Sequence, residues 1–417
     1  MGKTFAEKIL ALKAGLDEVV PGQIVTVRPD KLLTHDNTSA IAKTFRKIGV
    51  ERVADPSMTV IILDHVTPAA NETYAQSHKE TREFVQEQGI SAFYDVGEGI
   101  CHQVLPEHGH ALPGMLIVGS DSHTPSHGAL GAFAAGIGRT EAAAVMATGE
   151  IWLRVPESLR IFVEGELPER TSAKDLILHV IGDISASGAD YMSVEFAGPT
   201  IEAMSVGSRQ VLCNMAAEMG AKNGYVAPDA TTRSWLAGRS AVAYHQVLPD
   251  PDATYARELY YDASKLEPQV AKPHRVDNTV PVAEAAGIRI DQAIVGSCTN
   301  GRLEDLSAAA DILRGRQIAP SVRLLVLPAS REVLLAAIDA GVARDLLAAG
   351  ATLLNPGCGP CLGAHEGCMA PGERSISTAN RNFRGRMGSR DAEIYLGSPA
   401  TVAASALTGV ISDPREA

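Results

Sequence analysis

Apolar and polar positions along this chain fall into alternating blocks, predicting that strands and helices take turns. Phe5, Ile9, Leu12 and Leu16 recur at helical spacing within residues 4–16. Ile24-Val25-Thr26-Val27 alternates as a short strand, and Asn37 is placed to cap a helix running to about Lys47. Thr59-Val60-Ile61-Ile62-Leu63 and Met115-Leu116-Ile117-Val118 are apolar runs of buried-strand length, separated by a polar helix over Asn71–Gln88. From Pro156 the texture changes. A strand is predicted over Ser158–Glu164, and helices over Ala173–Ile184 and Gln210–Ala221. Residues 225–285 carry frequent Pro and Asp with little periodicity. The pattern then resumes: strand Gln292–Val295, helix Leu303–Arg314, strand Val322–Leu327, helix Arg331–Ala340, strand Ala351–Leu354. Strands alternating with helices predict an α/β fold with mostly parallel sheets. Three units are expected, over residues 1–155, 156–285 and 286–417. The glycine- and alanine-rich run Gly128–Gly138 does not follow a strand as a dinucleotide loop would, and close helix packing is its expected role.

Composition changes this picture little, but charge narrows the partners. The 417 residues are 45% apolar and 21% charged, with a formal net charge of −12. Binding to nucleic acid or an anionic membrane calls for a basic surface, so the balance argues against both. A small anionic substrate is compatible with it, because a few placed arginines reverse the field locally. Neither a secretory leader nor an apolar span of membrane length is evident, and a cytoplasmic protein is expected. In a reducing compartment the six cysteines are expected as metal ligands or free thiols.

Candidate chemistry collects after the strands. The first two apolar runs end in Asp64-His65 and in Asp121-Ser122-His123, and ligands of open α/β sheets bind beyond the carboxyl ends of strands. Asp121 and Ser122 could equally shape a turn. Ser122 is not in the G-x-S-x-G setting of a hydrolase elbow. Asn214 and Glu218, four apart, could share a helix face. Cys298 follows one strand and Cys358-Gly359-Pro360-Cys361 follows another. Two thiolates on a tight turn and a third from a distant loop can grip a metal centre with one position open. A closed zinc knuckle, Cys358-x2-Cys361-x3-His365-x2-Cys368, can also be drawn. Arg381, Arg384 and Arg386, three within six residues, suit carboxylate clamping.

Taken in order, these stretches resemble the aconitase family of iron–sulfur hydro-lyases. The matching pieces are Leu63-Asp64-His65, Gly99 to Val104, Gly119 to Thr124, Cys213 to Glu218, Gly296 to Arg302, Gly357 to Gly363 and Asn380 to Arg386. The resemblance implies three α/β/α units around one [4Fe–4S] cluster per chain, held by Cys298, Cys358 and Cys361, with one iron lacking a protein ligand. It implies catalytic roles for Asp64, His65, His102, Asp121, His123 and Glu218. Asp64–His65 would help protonate a departing hydroxyl. Asn214 and Asn380 would hydrogen-bond around the cluster, and Arg381 and Arg386 would hold substrate carboxylate. Cys101, Cys213, Cys368 and His365 receive no role. The family's swivelling domain, with its serine base, is not found here, which is the pattern of the family's two-chain dehydratases. A separate small subunit is therefore the expected partner. The expected substrate is a di- or tricarboxylate: first isopropylmalate of leucine biosynthesis, with homoaconitase and dimethylmalate chemistry as rivals. A zinc-knuckle binding protein and a cluster-bearing RNA sensor are the readings from other classes.

Overall fold

The computed structural model describes residues 2–417. Three larger sheets and one two-stranded ribbon organise the chain. The first sheet is entirely parallel, in the order Ala92–Tyr94, Thr59–Ile62, Lys31–Thr34, Leu116–Gly119, Phe133–Gly136. The second is also parallel: Asn223–Val226, Ser193–Ala197, Ser158–Glu164, Arg257–Asp262. The third has a parallel body, Glu393–Leu396, Arg374–Ser377, Gln292–Gly296, Arg323–Leu327 and Thr352–Leu353. Gln269–Ala271 and Thr279–Pro281 extend one edge of it antiparallel. Ile24–Val27 pairs antiparallel with Ile151–Arg154 in the ribbon.

Most predicted elements stand within a residue or two of their expected ends. The differences are instructive. Asn37 occupies the N-cap position of helix Thr38–Ile48, but its side chain caps nothing. Its amide instead spans to Ser120, donating to the carbonyl and accepting from Oγ, and so ties two strand-end loops together. Gly128–Gly138 is not itself helical: it closes a 3-10 turn, Thr124–Leu130, that packs closely against helix Val206–Ala216 as expected, and then forms the edge strand Phe133–Gly136. Smallness is needed there because a Cβ on Gly128 would collide with the carbonyl of Gly224 in the second sheet. The expected border at residue 285 also misses a pairing. Strands Gln269–Ala271 and Thr279–Pro281 precede it, yet Ala271 pairs with Leu396 in the third sheet. Too short to show periodicity, these strands are specified by their partner.

Helix Ala173–Ile184 shows how sequence builds an element here. Ser172 caps it by accepting from the Lys174 amide, and Asp175 returns a bond to the Ser172 amide, a box of the kind worth about 1 kcal/mol. Leu176, Ile177, Val180, Ile181 and Ile184 bury one face in a core that continues to Cys358 and Cys361. Among the described residues no helix is long and apolar enough to cross a membrane.

Candidate active site

Loops from the carboxyl ends of the first and third sheets meet at one pocket. Its lining includes Asp64, His65, His102, Asp121, Ser122, His123, Cys298, Cys358, Cys361, Asn380, Arg381 and Arg386. Residues as far apart in sequence as Asp64 and Arg386 thus share one small volume.

The first sheet supplies a continuous network of acids and imidazoles. Asp64 is fully buried; Oδ1 lies 2.6 Å from His65 Nδ1, and Oδ2 accepts the Cys101 amide at 2.7 Å. His65 Nε2 stands 3.4 Å from Asp121 Oδ2. Asp121 Oδ1 takes His102 Nε2 at 2.6 Å and the His123 amide at 2.8 Å. His123 Nε2 continues to Glu218 Oε1 at 2.8 Å, and Arg381 Nε meets the same oxygen at 2.8 Å. Arg381 also donates to Ser122 Oγ at 3.0 Å. Burial alone would neutralise these groups, but the partners overrule it. Asp121 stays well below the usual carboxylate range through His102, His123 and His65, and Glu218 is lowered through His123 and Arg381. Burial also opposes charge on the histidines, yet Asp64 and Asp121 hold His65 well above its ordinary value. Asp121 and Glu218 likewise raise His123.

Glu218 lies just past the end of helix Val206–Ala216, in a 3-10 turn, and Asn214 in its last turn. The two therefore part company: Glu218 serves the histidines, while Asn214 turns to sulfur. Asn214 Nδ2 donates to Cys298 Sγ at 3.2 Å, and Asn380 Nδ2 to the same sulfur at 3.3 Å. An Arg386 guanidinium nitrogen lies 3.6 Å from Cys361 Sγ. The main chain turns sharply before Cys298, with Ser297 at φ 77°, a left-handed conformation costing about 1–3 kcal/mol for a non-glycine residue. Gly296, at φ 145°, lies flat against Leu327, where a side chain would clash.

The donor set fits a polynuclear iron–sulfur centre better than a single zinc. Burial pushes the Cys298 thiol up to about 11, so a cationic centre is what would deprotonate it. One tetrahedral zinc would need all its sulfurs within about 4 Å of one another. Among the described residues, the group whose His, Cys, Asp or Glu ligand atoms all lie within 4.8 Å is His35, Asp36, Asp64 and His65, with no cysteine in it. The knuckle is not assembled: Cys368 is exposed and bonded to the carbonyls of Gly363 and His365. Cys101 and Cys213 are buried away from the pocket lining.

Sequence reasoning passed over several groups. Asp36 accepts the amides of Asp64, His65 and Val66 at 2.8–3.0 Å, and His78 Nε2 at 2.9 Å. His35 stacks on His65, ring centroids 3.8 Å apart. Both follow strand Lys31–Thr34, so the strand-end argument would have found them had that short strand been recognised. His127 Nε2 lies 3.4 Å from His102 Nδ1, inside a turn that read only as small-residue packing. Lys174, fully buried, donates to the carbonyls of Thr378 and Ala379. A wider cleft of about 590 Å³ opens beside the pocket and shares Asp121, Ser122 and Arg381 with it.

The model of the aconitase family (aconitate hydratase) matches residues 7–287 and 283–409. A "3-isopropylmalate dehydratase large subunit 1" of Methanopyrus kandleri is 55% identical over 416 residues, covering 100% of this chain and 99% of the relative. A "Probable methanogen homoaconitase large subunit" of Methanosarcina mazei is 55% identical over 388 residues, 93% of this chain and 98% of the relative. The "3-isopropylmalate dehydratase large subunit" of Moorella thermoacetica is 47% identical over 418 residues, covering 100% and 99%. With matches spanning nearly its whole length, the chain belongs to the aconitase family.

Proposed function

We propose that this chain is the large, cluster-bearing subunit of a two-chain hydro-lyase that interconverts 2-isopropylmalate and 3-isopropylmalate by dehydration and rehydration, a step of leucine biosynthesis. The observation that carries it is the pocket itself: three cysteines from two strand-end loops face an Asp–His–Asp–His network. Full-length relatives named for that activity support it. Cys298, Cys358 and Cys361 hold one [4Fe–4S] cluster, leaving one iron without a protein ligand. When bound, the cluster supplies a Lewis acid for the hydroxyl to be removed.

The chain's own residues do the rest. Asp64 holds His65 at Nδ1 while Nε2 faces Asp121 at 3.4 Å on the pocket lining, so the imidazolium proton at Nε2 is held between Asp121 and the departing hydroxyl. Asp121 keeps His65 and His102 in register from its two oxygens. Glu218 fixes His123 and Arg381 together. Arg381 and Arg386 hold substrate carboxylate, and Arg386 Nε, buried without a partner, leaves a donor for it. Asn214 and Asn380 donate to Cys298 and moderate its charge. Carbon-bound proton removal falls to a serine on the swivelling domain of a separate small subunit. The reading places the enzyme in the cytoplasm, where free thiols persist. It divides the chain into three α/β units, with the second border nearer residue 265 than 285 because of the edge-strand pairing.

A second reading, homoaconitase, is favoured by the methanogen relative at equal identity. Anaerobic purification, with about four iron and four sulfide per chain and a broad band near roughly 400 nm, tests the cluster. Mixing with the small subunit and following hydration of isopropylmaleate against homoaconitate tests the substrate. Turnover of homoaconitate alone would replace isopropylmalate, and full turnover by the single chain would remove the split-enzyme reading.

A further inference from the structure

Helix Ala173–Ile184 carries a lysine on its buried side. Lys174 is 0% exposed and ranks among the largest fully buried side chains. Nζ donates to the Thr378 carbonyl at 2.9 Å and the Ala379 carbonyl at 2.7 Å. These two residues precede Asn380, whose amide reaches Cys298 Sγ. Thr378 is also stitched to the strand that delivers Cys298: its Oγ1 accepts the Gly296 amide and donates to the Gly296 carbonyl. Lys174 thus stands directly behind the cysteine wall.

Among the described residues its hydrogen bonds go to carbonyls, and no carboxylate forms an ion pair with it. Asp175, its sequence neighbour, is committed to Ser172 and to the Gln269 amide. Burial pulls Lys174 down to about 7, and the neighbours that oppose this most are Cys361 and Cys298, ahead of Asp175 and Asp305. A buried ammonium without a counter-charge is strongly unfavourable, so buried charges are paired. Carbonyl oxygens satisfy its hydrogen bonds but carry no net charge. A centre held by three thiolates carries the negative charge that this lysine lacks.

We propose that Lys174 is a positioning residue and the counter-ion of the cysteine-bound centre, raising its reduction potential while holding the segment that aims Asn380 at Cys298. This rests on the cluster assignment to Cys298, Cys358 and Cys361. A nearby positive charge favours the more negative, reduced state of a cluster, and its removal makes reduction harder.

The test uses the full chain, loaded anaerobically with iron and sulfide, as parent, Lys174→Gln and Lys174→Met. Gln keeps a donor and removes the charge; Met removes both. Reductive titration followed by visible absorbance and electron paramagnetic resonance reads the midpoint. Both variants are expected to shift to more negative potential and to retain iron about tenfold less well against a chelator. If Lys174→Met does not fold, Lys174→Gln decides alone. A shift in Met without one in Gln overturns the charge role, as does an unmoved midpoint in both. A loaded parent with unmoved variants sinks this inference alone, whereas a parent that takes up no cluster sinks the cluster assignment with it.

Discussion

The two walls of the pocket differ in how their charges are settled. On the first-sheet wall each titratable group already has a partner: Asp64 with His65, Asp121 with His65 and His102, His123 with Glu218. On the third-sheet wall, amides and a guanidinium converge on sulfur, and burial pushes the Cys298 thiol up to about 11. The first wall finds its partners within the folded chain, with Glu218 and Arg381 reaching it from other elements. On the second, burial leaves Cys298 protonated while Cys358 and Arg386 hold Cys361 low. The difference teaches that preorganised proton chemistry can be read from the folded chain, whereas a metal centre is read from what its ligands lack.

The largest break in that contrast should come on the cysteine wall. Cys358→Ser is expected to abolish cluster assembly and all turnover, seen as a colourless protein without stoichiometric iron. Retained iron in that variant would move the centre elsewhere. Next, Asp121→Asn removes the oxygen anion shared by His65 and His102. Reconstituted with the small subunit, this variant should keep its cluster spectrum but lose about 10²–10⁴-fold in kcat. An unchanged kcat would make the network mere scaffolding.

A smaller effect is expected in stability. His123 is raised by Asp121 and Glu218 against burial, so the folded chain holds that proton more tightly than the unfolded chain. Its stabilisation is full below about pH 6.5 and is lost as pH rises through the folded value. Asp121 and Glu218 are lowered, so theirs is full above about pH 4.5 and is lost as pH falls through the folded values. The thermal midpoint of the cluster-free chain should therefore fall as pH rises above about 6.5 through the folded values of His65 and His123, and His123→Gln should lessen that slope. Equal slopes would show that the wall is not clamped as described. The smallest effect belongs to Cys368→Ser. This exposed thiol bonds only to carbonyls, so iron content and turnover should stay at the parent level. Loss of metal would revive the knuckle.

Much of the fold was legible because buried strands such as Val60-Ile61-Ile62 and Leu116-Ile117-Val118 are continuous apolar runs, which local pattern reports directly. Lys31–Thr34 and Ala92–Tyr94 escaped because neither Lys-Leu-Leu-Thr nor Ala-Phe-Tyr is a long apolar run or a clear alternation, and with them went His35 and Asp36. The ordered motifs named the cysteines, the Asp–His pairs and Arg381 as residues of one site. Pattern could not say that Arg381 would lean on Glu218 or that Arg386 would face Cys361.

The sequence by itself determined the alternation of strands and helices, the position of reactive side chains after strands, and the acidic balance that argues against nucleic acid. Each depends on neighbouring residues or on simple sums. Tertiary structure alone decided which oxygen of Asp121 serves which histidine, that Asp36 anchors the Asp64–His65 loop, and that a buried Lys174 stands behind the cysteines. Those facts depend on groups far apart in sequence being desolvated together. Hydrogen-bond geometry and the cost of burying charge act only once the sheets have brought them into contact.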